Sequence, residues 1–248
     1  MISYVAWPTN NIARSNATAK AWLTLGYRVA VATELKVPQH EIVANEVCYI
    51  GKYEGYYRAM NFLCQSLVRD LKADVVICAG DGIYPASNRP CWALGATVAA
   101  KFPNGFGVMQ PVGLNWQPDR GPGQYNFHDT PPSTRRCESP WICRNFILEA
   151  YGGKGPYEQK YRQYFGDSEL FDVASRMGVL WRREDLVQKS IHWSQRGSPE
   201  GTESQKNNYT WHYENDWGHY RARRFGGYRG HERAQSRIIV PSGRIVAS

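Results

Sequence analysis

Two hydrophobic periods alternate through the first half of the chain. "ISYVAW" is a short run of β-branched and aromatic residues, and "YRVAVAT", "EVCYIG", "DVVICAG" and "FGVMQPVG" repeat that character further on. Short apolar runs bounded by turn residues predict buried strands. Helical patterns lie between them. "NNIARSNATAKAWLTLG" has Asn11 placed to cap its first turn and Gly26 placed to stop its last. "EGYYRAMNFLCQSLVRDLKA" spaces Ala59, Phe62, Leu63, Ser66 and Leu67 for one face, and a third helix is predicted from about Pro90 to Phe102. Strands alternating with helices predict an α/β fold, with a mostly parallel central sheet and helices on both faces.

From Leu114 to Pro140 the pattern gives way to Pro, Gly, Asp and Arg, the composition of a long lid or binding loop. Helical spacing returns in "SPWICRNFILEAYGG", with Ser139 as N-cap and Pro140 as first helical residue, then in "FGDSELFDVASRMGVLW" and "RREDLVQKSIHW". After Trp193 the chain turns polar, aromatic and basic, and only "RIIVPSGRIVAS" reads as strand. The expected organisation is a single α/β domain over residues 1–193 with an irregular basic extension over 194–248.

Composition narrows the class. The chain has 248 residues and is 42% hydrophobic, enough for a substantial core. No apolar run approaches the roughly 20 residues a membrane helix needs. "MISYVAWPTNN" reads as a first strand rather than a charged secretory leader, so a cytoplasmic location is expected. None of the six cysteines falls in a Cys-x-x-Cys pair, and buried reduced thiols are expected. Lysine and arginine number 30 against 22 acids, a formal charge of +8. The excess peaks between Arg221 and Arg237, where six arginines and one glutamate are interleaved with Phe225 and Tyr228, next to Tyr220. Such a segment suits a polyanion or a subunit contact. Trp116, Trp141, Trp211 and Trp217 are candidates for a stacking surface or for core packing.

Candidate chemistry begins at "ADVVICAGDGIYPASN", where a buried strand ends in one carboxylate, Asp81, between two glycines. Parallel sheets hold ligands beyond the carboxyl ends of their strands, near the switch in strand order. Three predicted loops share that rim: "WPTNN", "TELK" and "GDGIYP". Neither G-x-G-x-x-G nor a P-loop follows the first strand, and there is no G-x-S-x-G elbow, so dinucleotide, P-loop and α/β-hydrolase chemistry are not expected.

Glu34 after the second strand, "GYYRAMN" opening a helix, Asp81 after the fourth strand, "FGDSEL" opening a later helix and the late "IHW" form an ordered set. In order and spacing this set resembles family-2-like glycosyltransferases of the GT-A fold, and it is similar to the short bacteriophage-encoded kind with a "GGDDIYP"-like strand end. The resemblance implies that Pro8, Thr9, Asn10 and Glu34 hold the base and ribose of a nucleoside-diphosphate sugar, a UDP-sugar above all, with Gly55 and Asn61 beside the nucleotide. It implies that Asp81 and His192 bind a divalent cation, Mn²⁺ or Mg²⁺, and that Asp167 and Glu169 mark the catalytic base of an inverting transfer. It extends the acceptors to hydroxymethylated pyrimidines in double-stranded phage DNA, with host cytoplasm as the location. The chain departs from the family where Gly82 follows Asp81 in place of a second carboxylate. A catalytically inactive nucleic-acid-binding protein of this fold, a nucleotidyltransferase and a glycosyltransferase acting on glycan or protein stay open as alternatives.

Overall fold

Alternate residues of the first strand, β1 (Ser3–Pro8), feed two separate cores: Tyr4 and Ala6 enter one apolar cluster, Val5 and Trp7 the other. A strand buried on both faces reads as a continuous apolar run because no position meets water. In the computed structural model, which describes residues 1–85, 90–111, 137–183, 186, 188–190 and 203–230 (residues 189, 190 and 203–210 as backbone only), the expected α/β class and mostly parallel sheet are observed.

The chain continues through α1 (Ile12–Thr24), β2 (Arg28–Thr33), β3 (Glu46–Tyr49), α2 (Tyr56–Arg69), β4 (Val75–Cys78) and the short β5 (Ile83–Tyr84). Next come α3 (Cys91–Lys101), β6 (Val108–Pro111), β7 (Trp141–Cys143) and α4 (Arg144–Glu149), then α5 (Gly166–Arg176), β8 (Leu180–Arg183), β9 (Lys189–Ser190) and α6 (Glu203–Phe225). Seven strands form one sheet in the order β3-β2-β1-β4-β7-β6-β8, and β5 pairs with β9 apart from it. Only β7 runs antiparallel to its neighbours β4 and β6. Residues of α2, α4, α5 and α6 pack on one face, and those of α1 and α3 on the other.

The order reverses between β1 and β4: β1 leads by α1 to β2 on one side, while β3 returns by α2 to β4 on the other. A crevice opens at the carboxyl ends of two such strands because their outgoing loops diverge. The chain leaves this same end of the sheet again at Pro111 and at Arg183, since β6 and β8 are parallel to each other and antiparallel to β7.

Both expected ends of α1 are observed. Asn11 Oδ1 accepts the Arg14 N–H at 3.0 Å, and Gly26, at φ +79°, follows the last turn of α1. Four expectations are corrected. "WIC" is the buried strand β7, and Ser139, at φ +51°, caps nothing; three apolar residues between turns have no period that separates strand from helix. "VLWRR" likewise supplies β8 rather than helix. Phe62 faces solvent at 50% exposure, because α2 is turned to bury Tyr57, Met60, Leu63, Cys64 and Leu67 instead.

The fourth correction concerns the extension expected from residue 194. Residues 203–225 form a single 23-residue helix rather than an irregular segment, and Tyr220 and Tyr228 join the core cluster that includes α5. The helix was hidden because polar and aromatic side chains make its contacts. Asp216, 3% exposed, accepts the backbone N–H groups of Arg162, Gln163 and Tyr164. The strand-like "RIIVPSGRIVAS", and Trp116 with the loop around it, lie outside the described residues.

All six cysteines are free thiols, four of them buried, as expected. Burial raises the Cys64 thiol well above its ordinary value, and Cys78, 3.7 Å from it, raises it further.

Candidate active site

The first half of the site is a bridge across the β1/β4 crevice. Thr9 Oγ1 donates to Asp81 Oδ2 at 2.8 Å, and Arg14 Nη2 donates to the same oxygen at 2.5 Å. Three residues of α1 at helical spacing hold the loop that carries this aspartate. Arg14 takes the Asp81 carboxylate, Thr18 Oγ1 donates to the Asp81 carbonyl, and Trp22 Nε1 donates to the Ile83 carbonyl. Residues four apart share one helix face, so one stripe grips three consecutive points of the loop. Neither Arg14 nor this stripe was singled out in the sequence, although the i, i+4, i+8 spacing was there to be read.

The second half lies at the start of α5. Tyr57 donates its hydroxyl to Asp167 Oδ1 at 3.1 Å, and the Ser168 N–H donates to the same oxygen at 2.9 Å. No described group donates to Oδ2. Phe165, the residue before the helix, has φ +64°, a conformation that costs a non-glycine residue about 1–3 kcal/mol. Aromatic packing from α6 holds it: Tyr220 stacks at 5.4 Å, with Trp217 and Tyr213 at 5.1 and 5.2 Å. Helix α6 thus sets the backbone that presents Asp167.

Tyrosines join the halves. Tyr56 donates to the Ala79 carbonyl, two residues before Asp81, at 2.9 Å. Burial raises its phenol far above the ordinary value, and the nearby charge of Asp167 contributes in the same direction. Burial also raises Tyr53, followed by the negative charges of Asp81 and Glu34. Tyr57 is raised by burial and then by Asp167, so it remains a protonated donor at neutral pH. The chain at the start of α2 thus touches all three places: Tyr53 N–H at Glu34, Tyr56 at the Ala79 carbonyl before Asp81, and Tyr57 at Asp167.

Of the other expected site residues, Pro8, Thr9 and Asn10 lie on this rim at the end of β1, with Asn10 exposed and Thr9 buried. Glu34 accepts the Tyr53 N–H at 2.9 Å. Gly55 begins α2 at φ +112°, and a Cβ there would run into the Arg162 backbone. Two residues do not reach the rim. Asn61 is 2% exposed and clamps Tyr157 from both sides, with Nδ2 donating to its carbonyl and Oδ1 accepting its N–H, each at 2.9 Å. Asn61→Ala strands both backbone groups and is expected to cost about 2–4 kcal/mol of stability, read as a lowered melting temperature with donor affinity of the folded protein unchanged. A loss of donor affinity at an unchanged melting temperature would return Asn61 to the nucleotide site.

Glu169 is fully buried and accepts hydrogen bonds from Tyr151, from Tyr161 and from Arg223, whose Nε reaches both carboxylate oxygens and whose Nη2 reaches Oε1. Two residues along a helix turn the side chain by about 200°, so Asp167 and Glu169 face different surroundings. Glu169 is corrected to a structural anion. His192 lies outside the described residues. An open hollow of about 490 Å³ beside Tyr151, Lys154, Glu158, Lys160 and Arg229 flanks the Glu169 cluster rather than the space between the two aspartates.

The described donor set does not fit a divalent cation. A hard cation wants several oxygen ligands with one or two free carboxylates. Asp81 is already charge-paired with Arg14, Gly82 offers no side chain, and no group of three His, Cys, Asp or Glu side chains converges among the described residues.

No family model matches the sequence, and no curated protein matches it. Solved structures that overlay on it include A197 from STIV, at 10% identity and TM-score 0.44 over 77% of this chain and 86% of that one. The catalytic domain of Drosophila β1,4-galactosyltransferase 7, in complex with xylobiose, overlays at 10% identity and TM-score 0.46, covering 82% of this chain and 75% of that one. A Bacillus anthracis protein described as a glucose-1-phosphate thymidylyltransferase, in complex with sucrose, gives 11% identity and 0.41 over 78% and 88%. At that degree of overlap the chemistry has to be argued from this chain's own side chains.

Proposed function

We propose that this protein is a GT-A-like glycosyltransferase that moves a sugar from a nucleoside-diphosphate donor, UDP-linked, to a hydroxyl acceptor with inversion. One observation carries the reading: two aspartates 86 positions apart in the chain both lie at the carboxyl-end rim of a parallel sheet, one paired with an arginine and one with an oxygen lacking any described donor. The diphosphate side falls at Thr9, Arg14 and Asp81, with Glu34 and the β1 loop toward the nucleoside. The acceptor side falls at Asp167. There an acceptor oxygen attacks the anomeric carbon, its proton passes to Asp167, and the bond to the diphosphate breaks with the electron pair leaving on phosphate oxygen. Tyr57 and Ser168 hold the carboxylate in place for that transfer.

Hydroxymethylated DNA is the acceptor we favour. What supports it is the outer surface of α6, which carries Trp211, Trp217 and Phe225 at 53%, 36% and 87% exposure, with Arg221 over the Trp217 ring. Arg162, from the loop before α5, lies over Trp211, so the basic aromatic surface adjoins the acceptor side. Aromatic faces beside arginines stack bases and contact phosphates.

The test is to incubate the full chain with a panel of nucleotide sugars and with plain or hydroxymethylated duplex. Released nucleoside diphosphate and a hexose-sized mass increase on the modified duplex are expected. Release of pyrophosphate from a nucleoside triphosphate would point to nucleotidyl transfer instead, and turnover of neither would refute the reading.

A further inference from the structure

The crevice between β1 and β4 carries a fixed cation of its own. Arg14 lies in the first turn of α1, its side chain 31% exposed and that of Asp81 18% exposed, with 2.5 Å between Nη2 and Oδ2. Its Nε–H is enclosed and has no hydrogen-bond partner among the described residues. A buried N–H without an acceptor costs about as much as a lost hydrogen bond, so the arrangement is incomplete as a plain salt bridge. Resting on the donor reading above, we infer that Arg14, positioned by Asp81, is the charge that binds the donor diphosphate, and that this protein works without a divalent cation.

Asp81 Oδ2 is taken twice, by Thr9 and Arg14, and a cation bound to this carboxylate would sit beside a like charge. Glu34, another acid on the rim, is turned to the Tyr53 N–H. A guanidinium is planar, keeps its charge at every relevant pH and donates up to five N–H bonds in a fork that matches phosphate oxygens. Asp81 takes Nη2, while Nη1 has no partner among the described residues and the side chain as a whole is 31% exposed. As the sugar–oxygen bond breaks, negative charge grows on the departing diphosphate, and a preset arginine stabilises it without reorganising. Gly82, the departure from the paired carboxylates of the resembling family, follows from the same logic: with a covalently held cation, a second carboxylate would only compete for Arg14.

The test is calorimetric and uses the full chain. UDP, GDP and dTDP are titrated, each beside its own nucleoside, once in EDTA and once in excess Mn²⁺. A preferred diphosphate is expected to bind in EDTA within about threefold of its affinity in Mn²⁺. Arg14→Gln is expected to weaken the diphosphate by roughly 10–100-fold while leaving the nucleoside unchanged, the loss of one or two charge-assisted hydrogen bonds. Arg14→Lys keeps the charge without the fork and should recover part of that loss. Diphosphate binding that vanishes in EDTA, returns with Mn²⁺ and ignores Arg14→Gln would overturn the inference and leave the donor reading standing. Should no diphosphate bind in either condition, the donor reading fails and takes this inference with it. The wild-type comparison of EDTA with Mn²⁺ decides the matter even where a variant does not fold.

Discussion

Asp167→Asn is expected to slow sugar transfer by roughly 10²–10⁴-fold, the range that a positioned general base contributes. Donor affinity and the melting temperature are expected to stay near wild type. The reason is geometric: Oδ1, which accepts from Tyr57 and from the Ser168 N–H, has a neutral oxygen counterpart in asparagine, so the anchoring bonds survive. What disappears is the oxygen that takes a proton. Steady-state release of the diphosphate, with thermal melts alongside, separates the cases. A fall in kcat with KM for the donor unchanged marks an interaction made in the transition state. Unchanged turnover would remove Asp167 from the chemistry.

Arg223→Met is expected to destabilise the fold by about 3–5 kcal/mol because it leaves Glu169 as an uncompensated buried charge. At this chain length each kcal/mol lowers the melting temperature by about 2–4 °C, so a fall of roughly 6–20 °C is expected. Glu169 has no exposed surface, and Arg223 sits between it and Glu158, 3.5 Å away on its other side. Burial works to raise the Glu158 pKa, but His219 and Arg223 beside it hold it below the ordinary value. Replacing Arg223 together with Glu169→Leu should recover only part of the loss, since the Tyr151 and Tyr161 hydroxyls would then lack their acceptor. A melting temperature unchanged by Arg223→Met would show that α6 contributes little to the body.

Asp81 was legible because a buried strand ending in Gly-Asp-Gly has one place to put that carboxylate, at the rim of a parallel sheet. Asp167 was legible as an acid at a helix start, but Glu169 looked equivalent to it, and only the turn of α5 between them assigns one to the rim and the other to the core. Asn61 sat in a motif beside the expected nucleotide, yet its two bonds go to Tyr157, 96 residues away. Arg14 looked like one basic residue among thirty.

By itself the sequence determined the alternation of strands and helices through the first half of the chain, the parallel α/β class, the reduced buried thiols and the position of Asp81, because each depends on neighbours a few residues apart that alternate between apolar and polar or cap a turn. Tertiary structure decided the rest: that Arg14 meets Asp81, that "WIC" is the antiparallel strand inside the sheet, and that a polar helix near the end of the chain holds Phe165 and Glu169 in place. Those outcomes turn on which charges and rings face each other once distant segments pack. A buried carboxylate must find its partner wherever the fold brings one, and no local pattern records how far along the chain that partner stands.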